Sequence, residues 1–189
     1  MIKDFKWLFI TLVLLIFTYL MIERSQSKLS TNSLSVFSVN PKQVKRFLIQ
    51  NKSDAIELSR VDSVWSISGN DSLVVKLQAI DSFLNNVLSL EKSTLISKNT
   101  DKWSKYSVDD STGTHLAIID SLGNTIEYAI FGRSKSDFSR NYVRTHKDPK
   151  VYLTNSSILH LLNTSYNYWG ESFIPKEEVA PPNKETKTE

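Results

Sequence analysis

Asp109-Asp110-Ser111-Thr112-Gly113 is the stretch of this chain whose residue types could do chemistry. Two carboxylates that share a proton can activate water for peptide hydrolysis when each sits on its own Asp-Ser/Thr-Gly loop. Here an extra residue separates Asp110 from Gly113, and no second copy of the loop occurs. A turn in which Asp109 and Ser111 bond neighbouring backbone N–H groups fits these residues better. The histidines are His115, His146 and His160, and no two of them share the i, i+2 or i, i+4 spacing of a metal site. The chain has no cysteine, which removes disulfides, thiol nucleophiles and Cys-ligated metals together. Its glycines, Gly69, Gly113, Gly123, Gly132 and Gly170, never cluster into a phosphate cradle. A Ser-His-Asp triad needs only to meet in space, but there is no G-x-S-x-G elbow and serine is too abundant to discriminate. No catalytic, cofactor-binding or metal-binding set emerges, and a non-enzymatic role without a cofactor is expected.

The segment from Gly132 to Lys150 carries a different chemistry. It places Arg133, Lys135, Arg140, Arg144, Lys147 and Lys150 against Asp137 and Asp148, with Phe138 and Tyr142 among them. Such a surface could meet an acidic partner or anionic lipid headgroups, each basic group contributing about 1 kcal/mol near an anionic leaflet. The plainer interpretation, a solvated hairpin whose charges deter edge pairing, is preferred. A net charge of +3 is too small to argue for nucleic acid, and no base-stacking aromatic motif is present.

The elements that must position these residues show in the hydrophobic pattern. Val44–Ile49 and Ala55–Leu58 flank a turn at Asn51–Asp54, and Val64–Ile67 follows as a third short strand. Leu73, Leu77, Ile80, Leu84, Val87 and Leu88 then form a helical stripe, with Asp71 or Ser72 placed to cap it. Thr100–Tyr106 predicts one helical turn with Thr100 as its cap and Trp103 and Tyr106 facing inward. The second half repeats the plan. His115–Ile119 and Thr125–Phe131 flank the turn Asp120–Asn124, Tyr142–Arg144 pairs with Val151–Leu153, and a helix is expected over 156–162. The predicted fold is α+β, two strand-strand-strand-helix units with antiparallel sheets over 35–170. Its expected core includes Trp65, Leu77, Ile80, Leu84, Trp103, Tyr106, Ile118, Ile126, Tyr152 and Leu159.

The two ends differ from this middle. After a short leader, 1–4, residues 5–22 are polar only at Lys6, Thr11 and Thr18, and would make a helix about 27 Å long, enough to cross a bilayer. No small-x-small cleavage step follows Tyr19, so an uncleaved single-pass anchor is expected rather than a signal peptide. The flanking charges set orientation only weakly, and the default puts the domain outside, in the periplasm, with the anchor in the inner membrane. Residues 23–34 are Ser-rich and polar, as in a linker. The tail, 171–189, contains the proline- and charge-rich PKEEVAPPNKETKTE and is expected to be disordered.

Tyr106–Thr114, Asp120 and Gly123, Phe131-Gly132, Tyr142-Val143-Arg144 and Val151-Tyr152-Leu153, in that order after Trp65 and a helix, resemble the domain-of-unknown-function family 4340 over residues 36–170. The resemblance implies a bacterial envelope protein related to auxiliary proteins of gliding-motility-type ABC transporters, and it supplies no catalytic residues. The expected function is a membrane-anchored interaction module with an envelope protein partner. The alternative is a lipid- or glycan-binding domain that uses the hairpin 132–150.

Overall fold

The computed structural model describes Ile16, residues 35–52 and residues 54–172. Strands form where apolar residues alternate along the chain. Strand β1 (Arg46–Asn51) buries Phe47 and Ile49, β2 (Asp54–Val61) buries Ile56 and Leu58, and β3 (Val64–Ile67) buries Trp65 and Ile67. Lys52 and Asp62 take the left-handed backbone that the turns between these strands require. Strand β4 (Leu73–Val75), helix α1 (Leu77–Leu88) and β5 (Lys92–Ser97) follow. The second half contributes β6 (Thr114–Ile119), β7 (Thr125–Arg133), β8 (Asn141–Thr145) and β9 (Asp148–Thr154), then the short helix α2 (Tyr166–Trp169) and β10 (Gly170–Ser172).

Eight strands form one antiparallel sheet in the order β3-β2-β1-β6-β7-β8-β9-β5, and β10 pairs with β4 in a small separate ribbon. The two meanders join along β1 and β6, where Phe47 pairs with Ile118 and Ile49 with Leu116. Helix α1 covers one face of the sheet. Its Ile80, Phe83, Leu84, Val87 and Leu88 recur at helical spacing and are buried, which makes the helix amphipathic. The centre of the core is aromatic: the Phe47 ring stacks on Phe83 at 4.1 Å and lies 5.4 Å from both Trp65 and Trp169.

The expected fold class is corrected in three respects. First, no helix among the described residues is long and apolar enough to cross a membrane. The longest of the described helices, α1, has 12 residues, about 18 Å against a hydrocarbon core of about 30 Å, and one side of it is polar. The expected N-terminal transmembrane helix is therefore not part of the fold described. The same finding removes the structural basis for an integral single-pass protein of the inner membrane. The stretch 5–22, Ile16 apart, lies outside the described residues, as do 23–34 and most of the tail.

Second, the two halves do not make separate sheets with a helix each. The strands merge into one sheet, and 156–162 is a pair of tight turns, not a helix. Asn141 explains this: its Oδ1 accepts from the N–H groups of Ile158 (2.7 Å) and Leu159 (3.3 Å), holding the segment against β8 while Ile158, Leu161 and Leu162 reach the core. Third, the helical stripe begins too early in the sequence-based expectation. Leu73–Val75 is a strand because β10 pairs with it, and α1 starts at Leu77 with no side-chain cap. Leu77, expected in the core, stands on that first turn and is 63% exposed.

Candidate functional site

The sheet face opposite α1 is divided in two. One part is covered by residues 99–113, which run as two 3-10 turns (Thr100–Lys102 and Ser104–Tyr106) into the Asp-rich turn. Asn99, not the expected Thr100, caps the first turn, its side chain accepting from the N–H of Asp101 at 2.9 Å. Trp103, Tyr106 and Val108 then pack with Ile130 and Val151 in a second apolar cluster.

Arg144 pins this segment to the sheet. Its guanidinium lies 3.8 Å above the Trp103 ring, donates to the Val108 carbonyl at 2.9 Å, and pairs with Asp110 Oδ1 at 2.7 Å. Trp103 Nε1 donates to the Pro149 carbonyl at 2.9 Å. His115 adds a further tie: its Nε2 donates to the Asp110 carbonyl at 3.1 Å, and its Nδ1 is hydrogen-bonded to the Tyr128 hydroxyl. Gly132 makes the close approach possible. A Cβ there would stand 2.0 Å from the Tyr106 carbonyl oxygen and 2.7 Å from that of Ser107.

The carboxylates of the Asp-rich turn are occupied by this architecture. Asp109 accepts from the Ser111 hydroxyl (2.5 Å) and backbone N–H (3.0 Å), and from the Thr112 N–H (3.1 Å) and hydroxyl. These bonds, that of the Ser111 hydroxyl first, hold its carboxyl well below the usual carboxylate range. A group whose acidity rises on folding stabilises the fold above its unfolded value of about 3.9, and that contribution disappears as pH falls through the folded value. The gap in unfolding temperature between the native chain and Asp109→Ala should therefore be full at pH 7 and narrow steadily below about pH 4, measured by thermal unfolding from pH 7 to 2. A gap constant with pH would show that Asp109 acts only by shape.

The basic residues of the hairpin do not make one continuous patch. Arg144 is largely enclosed beneath the covering segment, its side chain 11% exposed. Arg140 pairs with Asp137 at 2.9 Å, Lys147 with the buried Glu127 at 2.7 Å, and Lys150 with Asp148 at 3.9 Å. Arg133 and Lys135 are exposed and have no ion-pair partner among the described residues. Asp148 also accepts from the Tyr152 hydroxyl at 2.8 Å; burial, then that bond, push the phenol up to about 12. Lys92 lies 4.0 Å from Asp148 and over the Tyr152 ring, and burial lowers its pKa. The histidines lie apart, on β6, in the β8–β9 turn and in the 158–162 turns; among the described residues no three His, Asp or Glu side chains come close enough to hold a metal.

The other part of this face, over β1, β2 and β3, is open. It presents Arg46 and Leu48 from β1, Glu57, Ser59 and Val61 from β2, and Val64 and Ser66 from β3. Arg46 pairs with Glu57 at 3.6 Å and the Ser59 and Ser66 hydroxyls meet at 3.2 Å. Val61 and Val64, directly opposite each other, are 70% and 72% exposed. Sequence pattern gave no sign of this division, because whether a strand's second face is covered depends on a segment far along the chain. The exception is Gly132: a glycine inside a strand marks a close backbone approach.

The architecture is thus a helix-backed antiparallel sheet with one face partly open. A family model described as "Domain of unknown function (DUF4340)" matches residues 65–179, and the chain belongs to that family. No curated protein and no solved structure matches the chain. The matched segment begins at β3, so β1 and β2, which lie between β3 and β6 in the sheet, precede it.

Proposed function

We propose that this domain is a protein-interaction module that works as an accessory component of an envelope or ABC-transporter complex. The open part of the second sheet face carries this reading. It offers the exposed Val61 and Val64 and the half-buried Leu48 as apolar contacts, and its hydroxyls and the Arg46–Glu57 pair can exchange bonds with a partner. The family resemblance, which implies a relation to transporter auxiliary proteins, supports the kind of complex. A lipid- or glycan-binding surface along the whole hairpin 132–150 has less support, since four of its six cations are tied to carboxylates.

A photo-cross-linking residue placed at Ser66, on the open face, should capture a transporter or other envelope subunit in cells, identified by mass spectrometry. The same residue at Asn85, exposed on α1 on the opposite side of the sheet, should not. Equal capture from both positions, or none from Ser66, would end this reading.

A further inference from the structure

Two cavities meet at the end of β7 where Arg133 leaves the strand. One, about 220 Å³, is lined by Arg133, Phe138, Asn141, Ser157 and His160; the other, about 240 Å³, by Asn51, Ser107, Thr112 and Thr114 among others; Arg133 and Leu159 line both. From these residues we infer that the cleft is a binding site for a small hydroxylated anion, one carrying a single carboxylate or phosphate group, such as a sugar acid or sugar phosphate.

Three observations converge on that chemistry. Arg133 is the charged residue common to both cavities, and no ion pair among the described residues engages it, unlike Arg140, Arg144, Lys147 and Lys150 on the same hairpin. A planar guanidinium with free N–H groups is matched to the paired oxygens of a carboxylate or phosphate. Second, neither cavity is lined by an Asp or Glu, so nothing in the wall repels an anion. Besides Arg133, the polar side chains of the wall are hydroxyl, amide and imidazole groups, which can exchange hydrogen bonds with a ligand's hydroxyls. Asn141 is committed to one orientation, because its Oδ1 already accepts from Ile158 and Leu159 and only its NH2 remains to donate. Third, Phe138 is 75% exposed at the rim and Leu159 lies between the cavities, giving apolar contact for a carbon skeleton. The volumes suit a molecule of monosaccharide size, not a lipid chain.

This site is separate from the open sheet face and does not depend on the interaction reading. The test is a titration of the full chain with glucuronate, glucose 6-phosphate and glucose, followed by backbone amide NMR. Saturable shifts at Gly132, Arg133 and Ser157 with one or both anions, and none with glucose, are expected; the anion that binds more tightly identifies the charged group preferred. Arg133→Gln should weaken binding at least tenfold, and Arg133→Lys should restore part of it. Raising the salt concentration should weaken binding by the native chain, which tests the charge contribution without any variant. No saturable shift with either anion, equal binding of glucose, or unchanged affinity in Arg133→Gln would overturn the assignment.

Discussion

Phe47→Ala should destabilise the fold by about 3–5 kcal/mol, the range for truncating a buried aromatic ring. Against a total stability of about 5–15 kcal/mol, that is enough to leave much of the chain unfolded at the lower end. Phe47 is fully buried and is the ring on which three other aromatics converge: Phe83 from α1, Trp65 from β3 and Trp169 from α2. Because those partners come from distant elements, the cavity left by truncation cannot be closed by moving one of them. Denaturant unfolding checks the expectation. A loss below about 1.5 kcal/mol, typical of a volume-conserving change, would mean that the aromatic cluster repacks freely.

Gly132→Ala should cost about 3 kcal/mol, at the upper end for overpacking, and by a different route. The added methyl would collide with the carbonyl oxygens of Tyr106 and Ser107, which are backbone atoms and cannot rotate away. The covering segment must lift, and Arg144 then loses its place between Trp103, Val108 and Asp110. Hydrogen exchange distinguishes this from general weakening. The N–H groups of Val108 and Gly113, bonded to Trp103 and Asp109 within the segment, should exchange faster in the variant than those of β1 and β6. Protection lost evenly across the chain would argue against local expulsion.

Much of the local structure was legible in the sequence because it depends on neighbours. The Asp120–Asn124 hairpin has its turn residues in place: Asp120 Oδ1 accepts from Leu122 and Asn124, and Gly123 takes positive φ. The stripe from Ile80 to Leu88 reads as a helix because its spacing is helical. What failed depends on residues far away. Leu73–Val75 became a strand only because Gly170–Ser172 arrived beside it, and Ile158–Leu162 stayed non-helical because Asn141 supplied bonds from another strand. Trp169, fully buried, stands in a stretch with no clear periodicity, and the sequence-based core did not include it. At the candidate site, the six cations were visible as a charge excess, but the pattern could not separate Arg144, enclosed and structural, from Arg133, which lines a cleft and has no ion-pair partner among the described residues.

The strand order also sets a timetable for a chain made from its amino end. β1, β2 and β3 can pair as soon as they emerge, but β1 must wait for β6 to gain its second neighbour. β5 waits longer: it is synthesised before β6, yet its partner in the sheet is β9. Pairings between such distant segments close late, since loop entropy must be overcome before the contacts form. Until then β5 is an unpaired strand, with Leu95 on it and Lys92 at its start. A ribosome stalled before β9 therefore presents a half-made sheet with a free strand beside it, the stage at which misassembly or a chaperone would find this protein.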